Sequence, residues 1–293
     1  MFTFLEGVTY LGTYPSGNVG RDFTDPTDFE FTEELRAVHE MLLGESFGEA
    51  EASEVRSFFS NLPAETCIWS NERATSTFFS PLTVQEKILR LQRVVDECAI
   101  LVVIRAQHRQ LISQYRDQPF EPSVGLSGKA VNPATWLDQL FAKDGEIGYL
   151  ESLDFHHLWE FLETTFKGRV TMLPLEGIRK DKQKFSRELG QCLGQDSETI
   201  ERLLDKPSQN LGVTAKRNYV RKLTRNHRMA SRVNNVLNRS PLAKSYNRFL
   251  DQGQTANYDF PSSGMERLKD RFGESNRRLS EIIGWDLAGM GYL

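Results

Sequence analysis

The hydrophobic positions in the central part of the chain follow two patterns, one typical of helices and one typical of buried strands. Apolar residues recur at helical spacing over 84–95. Thr83 and Glu86, at the start of this stretch, have the form of a capping box. The run AILVVI at 99–104 is continuous and rich in β-branched residues, which predicts a strand in the interior of a parallel sheet, buried on both faces. Helical spacing resumes over 107–117. This order predicts one α/β unit with its ligand end at the carboxyl end of the strand.

Similar patterns occur on both sides of this central unit. Helices are predicted at 33–43, 53–60, 154–166, 181–193 and in the last thirty residues, and strands at 65–71 and 169–176. Short apolar strands therefore alternate with amphipathic helices. The predicted fold class is α/β, with a parallel sheet flanked by helices, and residues 1–293 are expected to form a single domain.

Composition excludes several classes of protein. The chain has 293 residues, 39% of them hydrophobic, which is enough to bury a full core, and it has no run of 18 apolar residues that would predict a membrane span. The start of the chain lacks the pattern of a signal peptide. Its three cysteines are far apart and fit neither a metal-binding spacing nor a disulfide framework. We therefore expect a cytoplasmic protein without a metal site or a membrane partner.

Charge is distributed unevenly along the chain. Residues 1–60 contain twelve acids and three bases, whereas residues 206–250 contain eleven Lys or Arg and no acid. A basic segment of this length suits an anion such as a phosphate, a nucleic acid or an acidic glycan, and the alternative is a solvated face docked on the acidic first part of the chain. Few aromatic residues and no RNA or DNA motif accompany these bases, so no nucleic-acid partner is predicted, although nucleic-acid binding stays a rival interpretation.

The loop Pro15–Gly20 follows an apolar run and resembles a phosphate-binding loop. Such a loop needs a Lys that reaches the phosphates and a helix whose N-terminus faces the anion. No Lys occurs between Met1 and Arg36, and Pro26 and several acids follow the loop. The sequence therefore predicts an ordinary turn, and a degenerate phosphate loop is the alternative.

Arg105 and Ser113 are the first candidates for binding a ligand. Arg105 ends the AILVVI strand, and Ser113 follows eight residues later in the next helix. A guanidinium binds a phosphate monoester bidentately and a serine hydroxyl donates one further hydrogen bond, so this pair suits such a ligand. Spacing alone fits equally well with a surface arginine and an unrelated helix serine.

A resemblance extends beyond this pair. Four segments, at 67–75, 100–118, 154–194 and 271–293, resemble in sequence and in order the bacterial type of PAPS-dependent sulfotransferase. In that family a strand ends in Arg, a Ser follows eight residues later, and the chain closes on an N-x-x-L helix and a Gly-Tyr ending. The resemblance implies a P-loop-kinase-like sulfotransferase fold. It also implies that Arg105 and Ser113 bind the 3′-phosphate of the cofactor PAPS (3′-phosphoadenosine 5′-phosphosulfate).

One part of the family pattern is not visible. The 5′-phosphosulfate loop, of the Lys-Ser/Thr-Gly-Thr-Thr type, should precede a segment like GVTYLG, which here stands at 7–12. We therefore expect an N-terminally truncated sulfotransferase domain, with Pro15–Gly20 as a turn. Such a chain is expected to transfer sulfuryl groups poorly, because the loop amides and Lys stabilise the leaving 5′-phosphate.

Further site residues complete the predicted enzyme. Glu72 follows the strand at 65–71 and is the candidate catalytic base, with an ion pair to the neighbouring Arg73 as the alternative role. By resemblance, Lys216, Arg217 and Arg221 contact the cofactor phosphates. The predicted function is transfer of a sulfuryl group from PAPS to a hydroxyl of a carbohydrate or small metabolite. The alternative is a non-catalytic remnant of the fold that binds an anionic nucleotide or a glycan.

Overall fold

A computed structural model gives the fold of the chain and describes most of its residues. The described residues are 8–13, 42, 44, 46–61, 66–70, 74–75, 77, 82–95, 98–122, 129–205, 214–226, 228–240, 242–252 and 258–293. The loop Pro15–Gly20, the helix predicted at 33–43 (apart from position 42) and Glu72 lie outside them.

The described elements are mainly helices, with short strands between them. In chain order they are β1 (Val8–Thr13), α1 (Glu49–Ser60), β2 (Thr66–Ser70), α2 (Val84–Val94), β3 (Ile100–Ile104), α3 (Gln107–Asp117), α4 (Pro133–Ala142), α5 (Asp144–Ile147), α6 (Phe155–Phe166), β4 (Val170–Pro174), α7 (Gly177–Lys180), α8 (Lys182–Leu193), α9 (Ser197–Leu204), α10 (Ala215–Asn226), α11 (Arg228–Arg239), α12 (Ala243–Asp251) and α13 (Ser262–Ile283). Short 3₁₀ helices occupy Glu151–Leu153 and Ala288–Met290.

The chain divides into two compact units. Unit 1 comprises Met1–Ile104 and Glu151–Asp205, and unit 2 comprises Arg105–Leu150 and Lys206–Leu293. The expectation of a single domain stays a prediction.

Parallel strand pairing is the main feature of unit 1. Strand β1 pairs with β2, with Val8 opposite Thr66, and β3 pairs with β4, with Ile100 opposite Val170 and Ile104 opposite Pro174. Helix α6 packs against β3 and β4, and α8 packs against β4 and α9. Parallel strands covered by helices are an α/β architecture, so the predicted fold class is confirmed at this level.

Local signals in the sequence form as predicted in unit 1. The Thr83 hydroxyl accepts a hydrogen bond from the Glu86 backbone N–H at 3.2 Å, and the Glu86 carboxylate accepts one from the Thr83 N–H at 2.7 Å. This is the capping box that starts α2. Gly194 ends α8 with a φ of 66°, a left-handed conformation that favours glycine.

Strand β3 differs from its prediction in two respects. It was expected in the interior of a sheet, whereas among the described strands it pairs with β4 alone, and one of its faces is open. Val102 and Ile104 are buried, whereas Val103 is 49% exposed. The prediction of a strand buried on both faces is therefore wrong at Val103. The apolar run indicated a strand but could not indicate how much of its second face is covered, because apolar residues also occur on open sheet faces.

Unit 2 is built around aromatic side chains from α3, α4 and the segment before α13. The ring of Tyr115 meets the rings of Trp136 and Tyr258 edge to face, with centroids 5.9 and 5.1 Å apart. Trp136 also stacks on Phe260 at 6.4 Å. Aromatic pairs in these geometries bury a large apolar area and add specific ring contacts, so they fix α3 and α4 against each other.

Helices α10, α11 and α12 of unit 2 are formed by most of the basic segment. Helix α10 packs against α11 and α12, and α11 packs against α12. The Thr214 hydroxyl, just before α10, donates to the backbone carbonyl of Leu250 in α12 and accepts a hydrogen bond from the Arg217 N–H. The predicted basic segment is therefore largely helical within the described residues.

Candidate functional site

Arg105 and Ser113 both belong to unit 2. Arg105 directly follows the last residue of β3 in the chain, and Ser113 is the seventh residue of α3, as the sequence predicted. Both side chains are half-buried. Helical spacing puts Ser113 on the opposite side of α3 from the buried Leu111 and Tyr115, so its hydroxyl does not belong to the side of α3 that forms the core.

The side chain of Gln107 ties the first turn of α3 to α13. Its Nε2 donates to Asn276 Oδ1 at 2.8 Å, and Asn276 Nδ2 donates back to Gln107 Oε1 at 3.1 Å. Both side chains are buried. Two buried amides that satisfy each other hold one relative position, because any shift leaves a donor and an acceptor without partners away from water.

The last residues of the chain also contact Asn276 and α3. Asn276 Nδ2 also donates to the backbone carbonyl of Leu293 at 2.8 Å. Gly291 has a φ of 88°, and a Cβ added there would lie 3.7 Å from Arg109 Nη2 and 4.0 Å from His108 Cε1. The glycine thus supplies a left-handed turn where the chain packs against the first half of α3.

A buried tyrosine supports the other end of α3. Tyr115 Oη donates to the carbonyl of Val131 at 2.9 Å. Burial raises the pKa of the Tyr115 phenol to about 12, with a smaller contribution from Tyr258. The phenol is therefore neutral at physiological pH and acts as a hydrogen-bond donor that fixes α3 to the segment before α4.

The basic residues predicted to contact phosphates take part in contacts among the helices of the basic segment. Arg217 Nε donates to Asp251 Oδ1 at 2.8 Å, and its Nη2 donates to Asn247 Oδ1 at 3.1 Å. Lys216 Nζ lies 4.2 Å from the centroid of the Phe249 ring, a cation–π contact. These hydrogen bonds and this cation–π contact join α10 to α12. Position 221 lies in α10, and its side chain is outside the described part of the structure.

Other candidates have ordinary environments or cannot be placed. Glu72, the candidate base, lies outside the described residues. His156 Nδ1 lies 3.6 Å from Glu160 Oε2, one turn along α6. Within the described ranges, no group of three or more His, Cys, Asp or Glu residues is arranged to hold a metal ion.

Sequence reasoning missed the contribution of Gln107. Asn276 was part of the N-x-x-L pattern, but nothing indicated that a glutamine 169 residues earlier would be its partner. A signal existed, since a Gln at the start of an amphipathic helix, in line with Leu111 and Tyr115, is a polar residue on an apolar side. Such a residue predicts a buried hydrogen bond without identifying the group that makes it.

Comparisons with protein families, with characterised proteins and with solved structures find no match for this chain. Among the helices that the structure describes, none is long and apolar enough to cross a lipid bilayer. Proposals about function therefore depend on the residues themselves.

Proposed function

We propose that the chain is a PAPS-dependent sulfotransferase, in which Arg105 and Ser113 bind the 3′-phosphate of the cofactor. One observation carries the proposal. The helix that bears Ser113 is tied through Gln107 and Asn276 to the segment that contains the other distinctive part of the resemblance. Two patterns that are far apart in sequence and each weak alone therefore belong to one packed structure.

The C-terminal pattern has a physical role in this arrangement. Phe272, Asn276 and Leu279 lie on the buried side of α13, and Leu287 and Tyr292 after it are also buried. Asn276 of this pattern bonds to Gln107 in α3, and Gly291 of the ending lies against Arg109, so both parts of the pattern reach α3. A phosphate site needs its donors fixed within a fraction of an ångström, and support from packed residues around the donors supplies that precision.

Arg105 and Ser113 would anchor the cofactor rather than carry out the transfer. A guanidinium and a hydroxyl bind a phosphate monoester through charge-assisted hydrogen bonds. Arg109 lies one helical turn before Ser113 on the same side of α3 and adds positive charge there. PAPS supplies the sulfuryl group, and in-line transfer requires a base that removes the proton of the acceptor hydroxyl, a role that we propose for Glu72.

The basic helices would contribute the positive field of the site. Arg217 and Lys216 already have partners in α12, so a direct contact with phosphate would require them to exchange or share those partners. A long-range attraction needs no such exchange, because ten bases and a single acid lie in 215–251. The proposed acceptor is a carbohydrate or a small hydroxylated metabolite, and the positive field would suit an anionic glycan among these.

Calorimetry with the product nucleotide, 3′-phosphoadenosine 5′-phosphate, tests the anchor directly. Replacing Arg105 by Ala should weaken binding at least about tenfold, because a charge-assisted bidentate contact contributes about 1.5–3 kcal/mol. Ser113→Ala should weaken it less, since one neutral donor is lost. Arg187→Ala, at an exposed arginine of α8, is the matched control and should leave affinity unchanged. Equal affinity of a folded Arg105→Ala variant and the parent chain would refute the assignment.

A non-catalytic binding protein is the second candidate, and turnover distinguishes the two. Incubation with PAPS and a panel of sugars should release the product nucleotide if the chain is an enzyme. Nucleotide binding that depends on Arg105, without any release, would favour the binding protein.

A further inference from the structure

Helix α11 exposes a stripe of apolar side chains. Met229, Val233 and Val236 follow one another at helical spacing and are 72%, 57% and 68% exposed. Leu242, just after the helix, is 63% exposed. Single exposed apolar residues are ordinary, but three in line on one helix form a continuous strip.

A second side of α11 contacts the rest of unit 2. Helices α10 and α12 pack against it, and Ala230 and Leu237 are half-buried. Tyr246 Oη in α12 donates to Asn234 Oδ1 at 3.0 Å, which fixes this packing. The strip is therefore an exposed side of a helix that α10 and α12 already hold in place.

Positive charge borders the strip. Arg232 is exposed, and Arg228 and Arg239 lie four residues before it and seven after it, at positions that share one side of the helix. Helix α11 contains no carboxylate, and residues 206–250 contain none at all. Exposed apolar residues beside a row of arginines, on a helix whose polar positions are otherwise Ser and Asn, are typical of helices that lie in a membrane interface.

We propose that α11 binds the surface of a bilayer that contains anionic lipids. The helix lies parallel to the membrane plane, with Met229, Val233 and Val236 inserted between the headgroups and Arg232 against the lipid phosphates. Apolar burial and attraction to the negative surface act together in this geometry. The proposal concerns attachment to a membrane surface, departs from the expectation of no membrane partner drawn from the sequence, and is independent of the proposed transferase activity.

The structure favours a bilayer over other occupants. A second copy of the same surface would bring two rows of arginines together, which is unfavourable. A protein that takes an amphipathic helix into a groove surrounds much of the helix, whereas α10 and α12 already occupy the side of α11 that carries Ala230 and Leu237. Single-stranded nucleic acid stacks its bases on aromatic side chains, and the strip is aliphatic. A flat anionic surface accepts a strip that is open on one side.

Vesicle flotation of the full chain tests the proposal. Vesicles of phosphatidylcholine with phosphatidylserine should carry the protein upward, and vesicles of phosphatidylcholine alone should carry much less. Replacing Met229, Val233 and Val236 together by Ser should lower the partition coefficient at least about tenfold, because three apolar side chains are no longer buried. Arg232→Gln should lower it roughly fivefold, since each base near an anionic surface contributes about that factor. Raised salt should weaken binding of the parent chain.

The control replaces exposed aliphatic residues elsewhere. Leu89→Ser combined with Ile282→Ser changes side chains that are 45% and 44% exposed on α2 and α13. This variant should float like the parent, and circular dichroism should show that all variants are folded. Absence of flotation at low salt would overturn the proposal, as would equal losses in the control and the α11 variant. Binding of RNA or of an acidic peptide through the same residues, without vesicle binding, would assign the strip to that partner instead.

Discussion

Helices α13 and α11 carry similar patterns of apolar residues and end in opposite environments. In α13 the residues Leu268, Phe272 and Leu279 are fully buried, whereas the apolar strip of α11 is more than half exposed. Their polar sides also differ. The hydrogen bond from Arg277 lowers the pKa of Glu274 in α13 to about 2, whereas α11 has no acid. An amphipathic pattern therefore indicates a helix with an apolar side, but it does not indicate whether the protein itself covers that side.

The polar interactions that hold α13 and the basic helices also differ in how far they are buried. Gln107 and Asn276 are buried and exchange two hydrogen bonds, whereas Arg217 and Asp251 form an ion pair that water partly reaches. Buried neutral pairs are sensitive to the loss of one partner, and exposed ion pairs are screened. The two regions should thus respond very differently to substitutions of equal size.

The largest expected effect is on the packing of α13. Phe272→Ala should lower the free energy of unfolding by about 3–5 kcal/mol, because it leaves a cavity where a fully buried ring was. Val233→Ala in α11 should change it by less than about 0.5 kcal/mol. Urea denaturation of both variants measures the difference. Similar losses in the two would mean that the strip of α11 is covered in solution.

An intermediate effect is expected at the amide pair. Asn276→Leu should lower the free energy of unfolding by about 1–3 kcal/mol, since the amide of Gln107 is left buried without this partner. The double variant with Gln107→Leu should be less destabilised than the sum of the two single variants. A double-mutant cycle gives this coupling. Strict additivity would show that the two amides act independently and that α13 does not hold α3 through them.

The smallest effect is expected at the ion pair of the basic helices. Arg217→Ala should lower the free energy of unfolding by less than about 1 kcal/mol, because the pair is partly exposed. Added salt should reduce the difference from the parent chain. A loss above about 2 kcal/mol that salt does not change would show that Arg217 behaves as a buried polar group. The two regions would then not differ in this respect.

The sequence predicted the local features of the fold well. The capping box at Thr83, the strand predicted at 99–104 and observed at Ile100–Ile104, and the glycine that ends α8 each depend on a few neighbouring residues, and each formed. The position of Ser113 in α3 was predicted for the same reason. Features that depend on distant partners were not predicted, because periodicity contains no information about which surface covers an apolar side.

The candidate site shows the same limit. Arg105 and Ser113 could be chosen from the sequence because a strand end and a helix are local patterns. The partners of Arg217 and Lys216 could not, since Asp251 and Phe249 approach them only when α12 folds back on α10. The basic run indicated an anionic ligand without showing that two of its charges already have contacts within the protein.

The pairing of Gln107 with Asn276 also bears on the order in which a newly made chain folds. The two residues are 169 positions apart, and unit 1 is complete once Asp205 has been synthesised. During translation, unit 1 can thus become compact on the ribosome before α13, which bonds to α3, has been synthesised. Until α13 has been made, Gln107 lacks the amide partner that it has in the folded chain.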